Sequence, residues 1–175
     1  GVGVVTINNA RHLGMASYHA MLALDRDMIG MCMTSCPPSV VPTFGANPML
    51  GTNPIAMAAP AGTEKPFVFD AATSVIPDNR VHIARRLGIN LLPGWVADDQ
   101  GYPVMEERAP MTPNKLLPLG STADTGSYKG YGLASVVDIF SSMLAGMPFA
   151  AARDRGEFGH IVIAYNIEAF IEISK

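Results

Sequence analysis

A glycine-rich segment followed by a long apolar run constrains this chain most. Residues 126–132 read GSYKGYG, and apolar side chains recur at helical spacing between residues 133 and 147. This pattern predicts a long buried helix. The apolar positions of the helix are Leu133, Val136, Val137, Phe140, Met143 and Leu144.

A lysine occupies the first turn of the predicted helix. The N-terminus of a helix already carries partial positive charge and unpaired N–H groups, so Lys129 is unfavourable there unless an anion is bound. Gly130 and its neighbouring glycines allow a backbone to come close to such an anion. Two interpretations follow: Lys129 holds a phosphate or carboxylate, or it points into water.

Length and composition favour one domain over residues 1–175. Charged residues make up 15 % of the chain, below the usual value of about 25 %. We therefore expect part of the surface to meet another subunit or another part of a longer chain. The net charge of −3 gives no electrostatic reason to bind nucleic acid or an anionic membrane. The most apolar stretch contains Asp138 and is shorter than the ~20 residues of a membrane span.

The cysteines indicate the cellular compartment, and the first residues indicate whether the sequence is a fragment. Cys32 and Cys36 are the only cysteines, and their C-x3-C spacing without a histidine pair disfavours a zinc site or a redox pair. No metal is expected. Two thiols and no recognisable signal peptide favour a reducing cytoplasm. The chain begins in an apparent strand without an initiator methionine, so we expect a fragment.

Strands and helices are mixed along the chain without a regular strand–helix–strand repeat. This order predicts an α+β fold with a mixed, largely antiparallel sheet and packed helices. Residues 2–7 are expected to form a buried strand, and residues 35–53 a long ordered loop with a function. The other predicted strands are 29–33, 54–59, 66–69 and 160–164, and the other predicted helices are 15–28 and 81–87.

Motifs of the common nucleotide folds and hydrolases are missing from the sequence. Neither glycine pair forms the glycine-rich turn of a Rossmann fold, and the chain has neither a Walker lysine loop nor a G-x-S-x-G elbow. His12 is the best titratable candidate, because it lies between a strand and the start of a helix. The positive helix end would keep its imidazole neutral and able to accept or return a proton. The alternative is a loop histidine bonded to nearby backbone. His19, His82 and His160 are expected to be structural.

A carboxylate, two small residues and two hydroxyls close the fourth predicted strand at residues 70–74. Asp70 can hold a ribose diol, while Ala71 and Ala72 let a ligand approach the backbone. Equally, Asp70 can cap the next turn. Residues 51–54, GTNP, are read first as a turn and second as a ligand contact.

Together these segments resemble the non-Rossmann malate/L-lactate dehydrogenase family. The matching stretches, in register along nearly the whole chain, are residues 9–14, 51–54, 69–74, 93–98, 116–120 and 128–133. The resemblance implies a fold peculiar to that family, a homodimer, and hydride transfer between NAD or NADP and a small 2-hydroxy acid/2-oxo acid pair. It casts His12 as the catalytic acid/base. It places Cys36, Asp70, Ala71, Ala72, Lys129 and Gly130 at cofactor-contacting positions.

The sequence also departs from the family pattern. Nothing in it matches the N-terminal helical segment with its Ser-His-Gly motif, whose histidine is the proton donor in some relatives. The stretch between residues 149 and 158 is shorter than in relatives, and the glycine–lysine that usually follows the Ala-Thr-Ser motif is missing. We therefore expect a cofactor-binding core with weak or no turnover when isolated. Alternatives are a reductase of a cyclic imine or diketo acid, or an inactive cofactor-binding or assembly module. The choice of NAD or NADP, and of substrate, stays open.

Overall fold

The computed structural model describes residues 1–153 and 156–172. The helices and strands of this part are β1 (Val2–Ala10), α1 (Ala16–Met21), β2 (Met28–Ser35), β3 (Ile55–Ala59), β4 (Phe67–Ala71), α2 (Asp78–Leu87), α3 (Ser127–Ser141) and β5 (Phe158–Asn166). Short 3-10 turns occupy Leu24–Arg26, Met143–Ala145, Ala150–Ala152 and Ile167–Ala169. The sequence also predicts a short apolar tail at residues 168–174; it begins in the last of these turns, and its residues 173 and 174 lie outside the described part.

The five strands form one sheet in the order β1-β5-β2-β3-β4. Each of the four neighbouring pairs is antiparallel. β5 comes last in the sequence but lies between β1 and β2, so the two ends of the described chain meet in the sheet. The predicted α+β class with a largely antiparallel sheet is confirmed.

Helices cover both faces of the sheet. Successive side chains of β2 point in opposite directions, so neighbouring residues of this strand face different helices. Cys32 faces α1 and is buried with Ala20 and Ala56, in a cluster of small side chains. Met33 faces α3 and packs with Val137, in a cluster completed by the β5 residues Ile161 and Ile163. The sheet is therefore the middle layer between α1 and α3.

A third buried cluster joins α2 to the long loops. Val40, Leu91 and Leu116 are almost completely buried in it, together with Val81 of α2. Val40 forms isolated bridges to Leu50 and to Leu116, so the loop after β2 is held on two sides. The predicted ordered loop at residues 35–53 is confirmed.

The prediction of a buried first strand is wrong. β1 is a strand, but it lies at the edge of the sheet, and Val2, Val4 and Val5 are more than half exposed. A β-branched run is typical of strands in general, and its position at an edge depends on the order of the strands in the sheet. β5 pairs with this strand along one side, and near its end Asn8 donates to the carbonyl of Ala145.

The prediction of a buried apolar face on α3 is also wrong. Of the predicted positions only Val137 is buried, whereas the helix packs on the sheet through small and polar residues such as Ala134, Asp138 and Ser141. Small side chains allow the helix to approach the sheet closely. The opposite side, which we call the α3 apolar face, is exposed and consists of Leu133, Val136, Ile139, Phe140, Met143 and Leu144.

The predicted helix at 15–28 is shorter than expected. α1 ends at Met21, a 3-10 turn follows, and Asp27 takes a left-handed conformation with φ of 51°. Met28 is already the first residue of β2. Although Met28 continues the helical spacing of Tyr18 and Met21 in the sequence, it therefore belongs to the strand.

Candidate functional site

A groove runs beside the loop that follows β1. It consists of two adjoining cavities of about 360 and 320 Å³, which share His12, Cys36, Thr52 and Pro77. We call this surface the His12 groove. The larger cavity is also lined by Leu13, Gly14, Thr34, Pro54, Asp70, Ala71 and Ala72; the smaller also by Pro37, Pro38, Ser39, Asp78, Asn79 and Phe158.

His12 stands on the wall of both cavities. Its Nδ1 accepts the backbone N–H of Gly14 at 3.0 Å, and the edge of the Phe158 ring packs against it with centroids 5.6 Å apart. Because Nδ1 is an acceptor, the neutral ring carries its hydrogen on Nε2. In this tautomer Nε2–H can polarise a carbonyl oxygen. An imidazolium form has to release the Gly14 contact, since both ring nitrogens then donate.

Asp70 enters the groove from β4, and it also caps a helix. Its Oδ2 accepts the N–H of Ser17 at 2.7 Å, in the first turn of α1. Met15, the residue at the N-cap position, makes no side-chain capping bond, so the carboxylate of β4 takes that role. A carboxylate has further acceptor lone pairs, so Asp70 can still accept ribose hydroxyls. The alternative prediction placed the cap on the turn after β4, whereas the observed capping bond is to the first turn of α1.

The backbone of Cys36 is held by the GTNP segment. Its N–H donates to Oδ1 of Asn53 at 2.9 Å, and Nδ2 of the same amide donates to the carbonyl of Ala134 in α3, also at 2.9 Å. A Cβ at Gly51 would lie 2.5 Å from the Cβ of Cys36, so only glycine fits there. Burial raises the pKa of the Cys36 thiol above its usual 9.0, so the thiol is neutral near pH 7.

A buried ion pair lies behind Cys36. Asp138 of α3 accepts the hydroxyl of Ser35 and, at 3.2 Å, the N–H of Ala150. Arg153 approaches the same carboxylate at 3.7 Å and donates to the carbonyl of Cys36 at 2.9 Å. Sequence reasoning missed this pair and the bridging role of Asn53. A lone aspartate inside an apolar run was the available signal for it.

Lys129 and Gly130 begin α3 and are not among the residues that line the His12 groove. The ammonium of Lys129 lies 5.7 Å from the centroid of the Tyr128 ring. A Cβ on Gly130 would meet the carbonyl oxygen of Leu119, so this glycine allows close packing of the helix on that loop. The structure therefore brings together His12, Cys36 and 70–72, and leaves the two α3 residues apart from them.

The remaining histidines have structural partners, as expected. His19 contacts the carbonyl of Leu13 at 3.2 Å, His82 pairs with Asp78 one helical turn earlier, and His160 is buried. Within residues 1–153 and 156–172 no three side chains of the metal-binding types come together. Over the same residues no helix has the length and hydrophobicity to cross a bilayer.

Comparison with known proteins agrees with this fold. The family model described as malate/L-lactate dehydrogenase matches residues 1–175. The chain is 38 % identical to malate dehydrogenase of Pyrococcus abyssi over 181 residues, which are 100 % of this chain and 50 % of that protein. It is 34 % identical to ureidoglycolate dehydrogenase (NAD(+)) of Escherichia coli strain K12 over 186 residues, again 100 % of this chain and 50 % of the relative.

A solved structure of malate dehydrogenase from Entamoeba histolytica superposes with a TM-score of 0.83 at 33 % identity, covering 98 % of this chain and 51 % of that one. The chain thus spans about half the length of the relatives it matches. From the family match, these identities and the shared fold, the chain belongs to the malate/L-lactate dehydrogenase family.

Proposed function

We propose that the protein is an NAD(P)-dependent oxidoreductase that interconverts a small 2-hydroxy acid and its 2-oxo acid. The observation that carries this proposal is the His12 groove, where an imidazole, the Asp70 carboxylate and two alanines line one cavity. Family membership supports the same reaction class, since the relatives described above are a malate dehydrogenase and a ureidoglycolate dehydrogenase.

The groove fits a nicotinamide dinucleotide in size and chemistry. Its two cavities together hold several hundred Å³, the range of small-molecule and cofactor sites. Asp70 is exposed and offers carboxylate oxygens to ribose hydroxyls. The methyl side chains of Ala71 and Ala72 leave the backbone accessible. When bound, the nicotinamide supplies or accepts the hydride.

His12 handles the proton of the reaction. In the reducing direction its Nε2–H hydrogen-bonds to the carbonyl oxygen of the 2-oxo acid, and the protonated ring donates to that oxygen. In the oxidising direction the neutral ring accepts the hydroxyl proton. Proton transfer through Nε2 requires a hydrogen on Nδ1, so the Gly14 N–H must turn away during the cycle. A Cβ at Gly14 would meet nothing within 4 Å, so this peptide has room to turn.

The first test is binding of the reduced cofactor. NADH and NADPH are added separately and nicotinamide fluorescence is followed. We expect one of them to bind and Ala72→Leu, which fills the groove, to raise its dissociation constant by about tenfold or more. Ala61→Leu, in the exposed turn before β4, is the matched control and should bind as the unaltered protein does. Failure of both cofactors to bind would contradict the proposal.

Substrate class is tested with a panel of carbonyl and imine compounds. Pyruvate, oxaloacetate and sulfopyruvate represent 2-oxo acids, while piperideine-2-carboxylate represents cyclic imines. Oxidation of the cofactor with a 2-oxo acid alone supports the main proposal. Turnover of the imine alone identifies a reductase of the same family, and cofactor binding without any turnover identifies an inactive binding module.

We also propose that the protein works as a homodimer in the cytoplasm. The α3 apolar face and the edge strand β1 are exposed, and exposed apolar patches of this kind commonly mark interfaces. Because relatives are about twice as long, a further segment of a longer protein is the other candidate cover. Light scattering on the chain tests this. Phe140→Glu should yield monomer. Phe44 is also an exposed phenylalanine but lies in a loop, so Phe44→Glu should leave the mass unchanged.

A further inference from the structure

His160 of β5 connects two strands to the loop that carries His12. The side chain is only 3 % exposed. Its Nε2 lies 3.0 Å from the carbonyl oxygen of Arg11, and its Nδ1 lies 3.0 Å from the hydroxyl of Thr34. A carbonyl can only accept, so Nε2 carries the hydrogen and Nδ1 accepts the hydroxyl of Thr34.

The environment keeps this imidazole neutral. Burial lowers the pKa of His160 from its usual 6.5, and the nearby His19, His12 and Arg153 lower it further, against a raising effect of the Arg11 carbonyl. A neutral ring with the hydrogen on Nε2 satisfies both partners at once. An imidazolium would instead donate from Nδ1, and the Thr34 hydroxyl would have to accept that hydrogen and turn its own to another acceptor.

Arg11 needs this support because β1 leaves the regular ladder before it. Pairing with β5 is regular up to Ile7, opposite His160, and an irregularity then intervenes before Ala10 pairs with Phe158. Asn9 in this bulge takes a positive φ of 51°. Arg11 follows the last residue of β1, so its carbonyl is bonded by the side chain of His160 instead of a ladder partner.

A second contact reaches His12 through an aromatic ring. Phe158 stacks on His160 with centroids 6.3 Å apart and an interplanar angle of 22°. The same phenyl ring makes an edge contact with the His12 ring, with centroids 5.6 Å apart. His160 thus holds the backbone immediately before His12 and also supports the ring against which His12 rests.

We propose that His160 is a positioning residue, which fixes the His12 imidazole at the groove wall through its bond to the Arg11 carbonyl and through Phe158. It touches neither substrate nor cofactor. The proposal rests on the acid/base role proposed for His12.

Two isosteric variants separate positioning from simple core packing. In His160→Gln the amide nitrogen reaches the place of Nε2 and can still donate to Arg11. In His160→Asn the side chain ends near the place of Nδ1 and can only contact Thr34. We expect kcat to fall about tenfold in His160→Asn and less than about threefold in His160→Gln, with the cofactor dissociation constant unchanged in both. Equal loss in the two variants would overturn the proposal.

The same pair is then placed in a His12→Ala background. If His160 acts through His12, neither variant lowers the residual turnover further. An undiminished loss in that background overturns the positioning role while leaving the proposed function intact. Unchanged turnover of His12→Ala itself would assign the proton to another group and remove the premise of this inference, whereas failure of both cofactors to bind would contradict the proposed function.

Nuclear magnetic resonance provides readouts that need no turnover. Long-range proton–nitrogen correlation of the imidazoles should show His160 as the neutral Nε2–H tautomer; an Nδ1–H tautomer overturns the proposal without any variant. Amide exchange of Gly14, whose N–H is bonded to His12, should accelerate at least about fivefold in His160→Asn, and not in His160→Gln. Unaltered exchange in both would also overturn it.

Discussion

Asp138 and Arg153 form an ion pair inside the protein, with Nη2 3.7 Å from Oδ1 and the two side chains 3 % and 1 % exposed. The carboxylate belongs to α3 and the guanidinium reaches the carbonyl of Cys36. The pair therefore connects the helix packed on the sheet to the floor of the His12 groove.

Removal of one charge should be costly because the other stays buried without its partner. We expect Asp138→Asn to lower the free energy of unfolding by about 3 kcal/mol, measured by urea denaturation. The double variant Asp138→Leu/Arg153→Met removes both charges and should be less destabilised than Asp138→Asn. A loss below about 1 kcal/mol in the single variant would show that water reaches the pair.

Replacement of His12 by alanine tests the acid/base assignment. A positioned acid/base contributes about a hundredfold or more to turnover, so His12→Ala should lower kcat by at least that factor. The imidazole is not required to hold the dinucleotide, so the cofactor dissociation constant should stay the same. Steady-state kinetics and a fluorescence titration measure the two quantities. His82→Ala, on the exposed side of α2, is the control; unaltered kcat in His12→Ala would assign the proton to another group.

Lys129→Ala tests whether the cofactor extends from the His12 groove to the start of α3. A lysine bound to a phosphate contributes a charge-assisted bond, so its loss should raise the cofactor dissociation constant by about tenfold. Circular dichroism should show an intact fold, because the ammonium is exposed. Lys65→Ala, in the turn before β4, is the matched control. An identical dissociation constant for both variants would exclude Lys129 from the phosphate site.

Local patterns predicted the elements of this chain better than they predicted burial. The β-branched run of β1 and the helical spacing of α3 each marked a real element, because those patterns depend on backbone geometry. Which face of α3 meets the sheet was predicted incorrectly. The close approach of α3 to the sheet leaves room only for small side chains at the contact. The larger apolar side chains of the helix therefore face away from the sheet.

Sequence patterns identified short segments that the fold brings to one groove, but not the contacts between distant segments; the roles of the groove residues stay predictions. Residues 70–72 and His12 each lie at the end of a predicted strand, where ligand sites are common, and they line one groove. The Asp138–Arg153 pair and the bond of His160 to Arg11 join segments that are separate in the sequence. Apart from the lone aspartate in its apolar run, neither contact has a local pattern, since each partner is specified only once the sheet has formed.

The stability of the protein should decrease in mild alkali because of Cys32. Burial, with a smaller contribution from Asp70, raises the pKa of its thiol from 9.0 to about 11. In the unfolded chain the thiol ionises first, so the folded state binds more protons between these two values and the free energy of unfolding falls with rising pH. The two-unit difference corresponds to about 2 to 3 kcal/mol at most. Denaturation by urea at pH 8, 9, 10 and 11 measures the slope. Cys32→Ala should reduce the slope without abolishing it, because the pKa of Cys36 is also raised; an identical slope in Cys32→Ala would show that Cys32 is not its source.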